Sequence, residues 1–257
     1  MKNLYIISKI AVNALQESFR RRVMNVLLVF SAILVISLGA FSHMSAGDHE
    51  KFVKDIGLSS VTFFCILIAI FGAASLIPNE IEKRTIFNIL SKPVSRGYFL
   101  FGKLLGTFLI VFVNFLIMSV LFLTVLMFTH LSVGADMFKA LYLLLLEVLL
   151  VAAITLTVST VASTIFNVSF SFFVFIFGNL SEYMSHNFEH MDSQIAKFFA
   201  FYFNRIMPDF SVFNMGSFIV LGKGIELIYL VKATIYMLIY MIACVSVGYV
   251  LFNRREM

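Results

Sequence analysis

Six apolar stretches, each about the length of one membrane crossing, constrain this sequence more than any other feature. They are separated by polar segments and cover residues 23–41, 58–77, 104–128, 140–162, 168–183 and 227–252. About 20 apolar residues in a helix cross the hydrocarbon core of a bilayer, whereas the strands of a membrane barrel alternate in segments of about ten. The pattern therefore predicts an all-α integral membrane protein with six transmembrane helices, in a single domain over residues 1–257.

The composition agrees with a membrane protein. Of the 257 residues, 61% are hydrophobic and 13% are charged, and the mean hydropathy is +0.99. A soluble domain of this size could not bury so much apolar surface. Cys65 and Cys244 both fall inside apolar stretches, so we expect them to be small apolar packing residues and predict neither a disulfide framework nor a metal site.

The distribution of positive charge predicts the orientation in the membrane, because cytosolic loops are enriched in Lys and Arg. With the N-terminus inside, 12 of the 19 Lys and Arg residues are cytosolic: Lys2, Lys9, Arg20, Arg21, Arg22, Lys83, Arg84, Lys92, Arg96, Lys103, Arg254 and Arg255. We therefore predict a multi-pass protein of the cell (cytoplasmic) membrane with both termini in the cytosol. The net charge of +5 then reflects topology, and we predict no nucleic-acid partner.

Two segments outside the spans have patterns of their own. In residues 1–22, apolar side chains recur at helical spacing, which is typical of a helix in the membrane interface: Leu4, Ile7, Ala11, Leu15 and Phe19. Residues 181–226 form the one long connection on the outer side, where an aromatic patch is followed by helix-breaking Pro208 and Gly216. We predict an interfacial helix for the first segment and a structured extracytoplasmic loop for the second.

The cytosolic segment of residues 78–103 is longer than a simple connection requires. On a helix, Ile81, Thr85, Ile89 and Leu90 share one side, with the charges elsewhere. Pro93 then ends the helix, because proline disfavours helical geometry in the residue before it. The segment predicts a short amphipathic helix, a proline break and a second helical start, together forming a surface for a partner.

This segment also carries a family pattern: an acidic residue, a Thr that opens a leucine-rich turn, a Pro-Val-Ser-Arg run, and a Gly-Lys pair at the third span. The matching residues are Glu80, Thr85, Leu90, Pro93, Ser95, Arg96, Gly102 and Lys103. In these residues the chain resembles the permease subunits of type-2 ATP-binding-cassette (ABC) exporters, although Arg84 stands where relatives commonly have Gly. The resemblance extends over essentially the whole chain, at Glu17, Arg20, Arg22, Pro208, Phe213, Asn214, Phe252, Arg254 and Arg255.

The resemblance implies a type-2 ABC exporter permease fold, in which a six-helix half-transporter pairs with a second permease copy as a homodimer or a paralogous heterodimer. It implies that residues 78–103 are a coupling helix that docks on a separate ATPase subunit. The docking residues would be Glu80, Ile81, Thr85, Ile86, Ile89, Leu90, Pro93, Arg96 and Lys103. Arg96 and Lys103 would anchor the start of the third span, and the second and fifth spans would face the partner permease.

We predict that the chain is not an enzyme and binds no cofactor itself, with ATP and Mg²⁺ held by the partner ATPase. Residues 97–103 fit the first seven positions of a phosphate-binding loop, but Leu104 stands where the Ser or Thr should be and no strand precedes it. His186, Glu189 and His190 are close in sequence, but loop histidines of this kind are usually solvated, and we predict no metal site.

Within the spans, Glu147 needs a partner, a proton or water, because a charge inside a membrane is costly. Counting about 1.5 Å per residue places Glu147 and Asn114 at similar depths, so the two could pair. Glu147 is either a structural hydrogen-bonding group or part of a transport path. A stripe of aromatic residues on the fifth span is either a lipid or helix contact or a pathway or dimer face: Phe166, Phe170, Phe173 and Phe177.

Three functions fit these observations. The first is the permease subunit of an ATP-driven exporter, with membrane lipids as its surroundings. The second is a stand-alone secondary carrier or channel in which Glu147 handles a proton or another cation. The third is a membrane anchor for a maturation or assembly complex. The sequence does not select a substrate.

Overall fold

The computed structural model describes residues 2–20, 22–41, 49–82, 96–181, 207–214 and 224–254. Its described residues are 89% helical and contain no strand. There are eight α-helices in this part of the chain: α1 Lys2–Phe19, α2 Arg22–Phe41, α3 His49–Ala74, α4 Leu76–Glu82, α5 Arg96–Phe128, α6 Ala135–Ser159, α7 Thr164–Asn179 and α8 Leu227–Arg254. A short 3₁₀ turn covers Ser211–Phe213. The prediction of an all-α fold is confirmed.

Helices occur at each of the six predicted spans. By length and composition, four stretches of the described chain could each cross a membrane: Val53–Glu82, Arg96–Phe128, Ala135–Ser159 and Leu227–Arg254. Two further apolar helices are shorter, over Met24–Ser37 and Thr164–Asn179. The protein therefore has several membrane-spanning helices, and the count of six stays a prediction.

Helix α6 lies at the centre of the bundle. It contacts α3, α5, α7 and α8, while α2 packs against α3 and α5 on one side. Its most apolar window is 67% buried, compared with 17% for α8, which lies at the periphery. Because lipid is as apolar as leucine, such helices associate through close packing and hydrogen bonds rather than through exclusion of water. The central position makes α6 the helix whose polar residues have the least access to the surroundings.

Helix α1 packs across the start of α5 at two glycines one turn apart. A side chain added at Gly102 would lie 2.9 Å from Ile10, and one added at Gly106 would lie 2.7 Å from the Cβ of Ala14. The spacing of these glycines is the small-xxx-small pattern that lets two helices approach closely. The buried face of α1 therefore points at α5, with Ala11 and Ala14 almost fully covered.

A break separates α3 from α4 at Ser75, and Pro78 explains it. Proline has no backbone N–H and cannot bond the carbonyl four residues earlier, which here belongs to Ala74. Asn167 of α7, which is fully buried, donates its side-chain amide to the Ala74 carbonyl oxygen at 3.5 Å and to the Thr155 carbonyl oxygen at 3.0 Å. A side chain from a neighbouring helix thus contacts the carbonyl that proline leaves unbonded, as membrane helices require.

Residues 207–214, from the predicted outer loop, pack onto the ends of α7 and α8. Phe210 is buried and lies against Gly178, where an added side chain would approach the Phe210 ring to 2.4 Å. The Asp209 carboxylate accepts hydrogen bonds from the hydroxyls of Ser181 and Ser211 at 2.7 and 2.6 Å. The Asp209 backbone N–H donates to the Tyr236 hydroxyl of α8 at 2.7 Å. These contacts fix the segment over one end of the bundle.

Candidate functional site

A cavity of about 170 Å³ lies between α3, α6 and α7, with residues 213 and 214 at its edge. It is lined by Asp55, Leu58, Ser59, Thr62, Phe63, Ala140, Leu144, Glu147, Phe175, Asn179, Phe213 and Asn214. Three of these polar residues are exposed, namely Asp55, Ser59 and Asn214, whereas Glu147 is buried. The cavity therefore extends from the surface to a carboxylate in the interior, and we take it as the candidate site.

Glu147 lies near the middle of α6 and is 1% exposed. Its carboxylate oxygen Oε1 accepts a hydrogen bond of 3.3 Å from the Asn179 side-chain amide at the end of α7. Within the described part of the chain, no Lys, Arg or His forms an ion pair with it. A buried carboxylate normally has a cation or several hydrogen bonds to offset its loss of hydration. Here one long hydrogen bond from a neutral amide is what the described residues provide.

The predicted pairing of Glu147 with Asn114 is wrong. The Asn114 side-chain amide donates at 2.7 Å to the carbonyl oxygen of Ile110, one turn earlier in its own helix. Equal depth in the membrane is necessary for two side chains to meet, but each must also point towards the other helix. Asn114 is buried on α5 and bonded locally, while Asn179 on α7 reaches Glu147 instead.

A second buried glutamate has a full ionic partner. Glu80 of α4 is 7% exposed, and its Oε1 lies 2.5 Å from the Lys103 Nζ of α5. Lys103 is 1% exposed, and its Nζ also lies 5.8 Å from the centre of the Phe99 ring. Glu80 is therefore paired with Lys103 inside the chain, and its place on the docking surface stays a prediction. Its carboxylate points inward and fixes α4 to the first turns of α5.

Arg96 and Phe99 connect the start of α5 to the end of α8. The Arg96 guanidinium donates to the carbonyl oxygen of Asn253 at 3.0 Å and to that of Phe252 at 3.4 Å. The last carbonyls of a helix have no partner within the helix, so Arg96 caps α8. The rings of Phe99 and Phe252 stack with centroids 5.7 Å apart. Together with the Glu80–Lys103 pair, these contacts join α4, α5 and α8, and we name this set the α4–α5–α8 junction.

The other predicted docking residues divide into two groups. Ile81 is half-buried and packs against the apolar cluster that includes Leu76, Ile77 and Phe99. Thr85, Ile86, Ile89, Leu90 and Pro93 lie outside the described residues. The second helical start, predicted near Gly97, is continuous with the third span, because α5 runs from Arg96 to Phe128 without interruption.

The aromatic stripe of α7 faces away from the bundle. Phe166, Phe170 and Phe173 are 60%, 37% and 44% exposed in the single chain. Neighbouring rings contact each other along the stripe, with centroids 6.1 Å apart for Phe166 and Phe170 and 4.1 Å apart for Phe173 and Phe177. The opposite face of α7 carries Asn167 and Ser171, which are buried. The stripe thus offers a surface to lipid or to another protein and does not line the cavity.

A more exposed ion pair, between Glu50 and Lys54, lies near the start of α3, at the end of the bundle opposite to the α4–α5–α8 junction. Lys54 donates to the Glu50 carboxylate at 2.5 Å and to the Ser132 hydroxyl at 3.2 Å, and Ser132 in turn donates to Glu50. Glu50 is nearly half-exposed at the start of α3. The hydrogen bond from Lys54, followed by that from Ser132, lowers the pKa of Glu50 below its ordinary value of 4.5.

Sequence reasoning missed most of the cavity lining. Asn179 is an amide near the end of a span rich in phenylalanine, and that contrast was the one available signal for it. Asp55, Ser59 and Thr62 recur at helical spacing on α3, but their polar side could be recognised only once Glu147 was placed beside them. In the described part of the chain, no three His, Cys, Asp or Glu side chains are grouped as a metal site would need. His186, Glu189 and His190 lie outside that part.

Comparison with protein families finds a match. A family model described as "ABC-2 family transporter protein" matches residues 5–257, which is nearly the whole chain. No curated protein matches the sequence.

Proposed function

This chain belongs to the ABC-2 transporter family, and we propose that it is the membrane-spanning permease of an exporter driven by a separate ATPase subunit. The match over residues 5–257 carries this proposal, because the family implies a membrane transport component that works with an ABC ATPase. The chain itself would be no enzyme, and ATP and Mg²⁺ would bind to the partner.

In this proposal, residues 78–103 transmit the motion of the ATPase to the membrane helices. The buried Glu80–Lys103 pair supports this role, since it joins α4 to α5 through an ion pair with little exposure to the surroundings. The Arg96 cap extends the connection to α8. A push on the cytosolic segment would therefore move three helices together. The apolar side chains predicted to dock, Ile86 and Ile89, are the anchors of the interaction with the ATPase.

The cavity supports a transport role for the membrane part. It lies between α3 and α7, the second and fifth predicted spans, which the family resemblance assigns to the interface with a second permease copy. The exposed aromatic stripe on α7 is a surface that such a copy would cover. We propose that the permease acts as a dimer in the cytoplasmic membrane, with both termini in the cytosol.

Co-purification tests the proposal. The chain is expressed with the ATPase encoded nearest to it and captured by a tag on the permease. We expect a stable complex whose ATP hydrolysis depends on the permease, and we expect Ile89→Asp to reduce recovery of the ATPase. Ile195→Asp, a matched change predicted on the opposite side of the membrane, serves as the control. Transport by the chain alone in proteoliposomes, without any ATPase, would contradict the proposal.

Such a result would favour the secondary carrier. The observation that favours a carrier is Glu147, a buried acid that lines a cavity and has no cationic partner among the described residues. A carrier would use this carboxylate for a proton or another cation, and its transport would follow an ion gradient rather than ATP.

The orientation is tested by labelling single cysteines in a variant that lacks Cys65 and Cys244. Cysteines at positions 49 and 132 should react with an impermeant reagent from outside the cell. Cysteines at positions 88 and 253 should react only after permeabilisation. External labelling at position 88 would remove the argument for a cytosolic coupling helix.

A further inference from the structure

The Glu147 cavity is lined by acidic side chains and hydrogen-bond acceptors and by no basic side chain. Two of its lining residues are acids, Glu147 and Asp55, and no lining residue is Lys, Arg or His. Ser59 and Thr62 add hydroxyl oxygens, and Asn179 and Asn214 add amide oxygens. Such a set of groups attracts cations and repels anions.

Three phenylalanines line the same cavity: Phe63, Phe175 and Phe213. The face of an aromatic ring attracts an organic cation through its quadrupole, and the attraction increases when water is excluded. Small metal ions instead need several strong ligands that converge, and no group of three acidic, His or Cys side chains exists in the described part of the chain. Acid and aromatic groups together therefore favour an organic cation over a metal ion.

The size of the cavity limits the ligand. A water molecule in the liquid occupies about 30 Å³, so a volume of about 170 Å³ corresponds to about six waters. That is room for a small amine and not for a large drug-like molecule. Glu147 lies at the buried end, and Asp55 is exposed at the other end. A cation would first meet Asp55 and then replace the missing positive partner of Glu147.

We propose that this cavity binds a small organic cation, a protonated or quaternary amine, with the Glu147 carboxylate as its counter-ion. If the chain is a transporter, as the proposed function holds, such a cation is its cargo or the polar part of its cargo. Asn179 is a positioning residue, because its amide orients one oxygen of Glu147. The second carboxylate oxygen of Glu147 accepts no hydrogen bond from the described residues and is free to receive the cation.

The test compares choline with 3,3-dimethylbutan-1-ol, which has the same shape but carries no charge. Binding of each to the purified full-length chain in phosphatidylglycerol nanodiscs is measured by calorimetry. We expect saturable binding of choline, and about tenfold or greater loss of affinity both for the neutral compound and for Glu147→Gln. Glu226→Gln, the same change at an exposed residue that does not line the cavity, should bind choline like the unmodified chain.

A second arm separates a free cation from a lipid headgroup. Replacing part of the phosphatidylglycerol by phosphatidylcholine should weaken choline binding if headgroups reach the cavity, and leave it unchanged if the ligand comes from solution. Either result is compatible with the amine site. Equal affinity for choline and its neutral analogue would overturn the inference, and this comparison needs no variant. Equal choline affinity for Glu147→Gln and the unmodified chain would overturn it as well.

These outcomes are independent of the proposed function. Co-purification of the unmodified chain with an ATPase is scored separately. A stable complex with the ATPase that binds choline and its neutral analogue equally would reject the amine site and still support the proposed permease function. Selective choline binding without any ATPase partner would support the amine site and reject the ATPase-driven permease.

Discussion

Two glutamates are buried in this bundle, and they differ in what neutralises them. Glu80 lies 2.5 Å from Lys103, whose side chain is almost completely buried. Glu147 is at least as buried and accepts one hydrogen bond of 3.3 Å from the neutral amide of Asn179. An acid inside a membrane bundle with no cation beside it is a candidate for a functional role, because a charge there is costly to keep for stability alone.

The space around the two glutamates also differs. Glu80 belongs to the α4–α5–α8 junction, where stacked rings and the Arg96 cap close the space around the ion pair. Glu147 borders a cavity that reaches exposed Asp55. The first arrangement joins helices, and the second leaves room for a ligand. The comparison predicts a large loss of stability when Glu80 loses its partner and a small one when Glu147 loses its charge.

The largest effect is expected for Lys103→Met. This change removes the cation and leaves the Glu80 carboxylate buried without its ion pair, which typically destabilises a protein by about 3–5 kcal/mol. The midpoint of thermal unfolding in detergent is measured by fluorescence-detected gel filtration. Lys232→Met on α8 is the matched control, because Lys232 is exposed and should tolerate the change. A small effect at Lys103 would mean that the pair does not hold α4 to α5.

A much smaller effect on stability is expected at Glu147. Glu147→Gln keeps the shape and can still bond Asn179, while Glu147→Leu loses that bond, and interhelical hydrogen bonds in membranes are worth about 0.6 kcal/mol on average. Both variants should therefore unfold within about 1 kcal/mol of the unmodified chain. If Glu147→Leu were as damaging as Lys103→Met, the carboxylate would be a structural group and the contrast between the two glutamates would disappear.

The smallest effect is expected at Glu50, an exposed acid that also has a lysine partner. Its pKa is lowered by the hydrogen bond from Lys54, so its stabilising contribution is present above its ordinary pKa of 4.5 and is lost as the pH falls through the lowered value. Unfolding midpoints measured from pH 7 to pH 3 should fall slightly less for Glu50→Gln than for the unmodified chain. Identical pH profiles would show that this surface pair contributes nothing measurable.

The sequence predicted the helices well because their signal is local. Apolar length, the proline break at Pro78 and the glycine spacing at Gly102 and Gly106 are each visible within a few residues. Contacts between side chains on different helices cannot be predicted from such local signals. Depth along a helix can be counted from the sequence, but the rotation of one helix relative to its neighbour cannot. Depth alone therefore suggested Asn114 as the partner of Glu147, whereas the contact is made by Asn179.

The same limit applies to the family motif. Glu80 and Lys103 were both recognised as motif residues, 23 positions apart and on either side of a proline. Their sequence context indicated a surface for a partner, whereas the structure buries them against each other. A motif identifies which residues matter, but the direction in which each side chain points depends on contacts with helices far away in the chain.

The most direct test of the contrast uses both glutamates in one molecule. Dicyclohexylcarbodiimide, an apolar reagent that modifies carboxyl groups within membranes, is applied to the full-length chain in nanodiscs, and peptide mass spectrometry quantifies labelling at each site. The account predicts labelling of Glu147 that choline prevents and 3,3-dimethylbutan-1-ol does not, with Glu80 protected throughout by Lys103. Equal labelling of Glu80 and Glu147, or labelling of Glu147 that choline leaves unchanged, would contradict it.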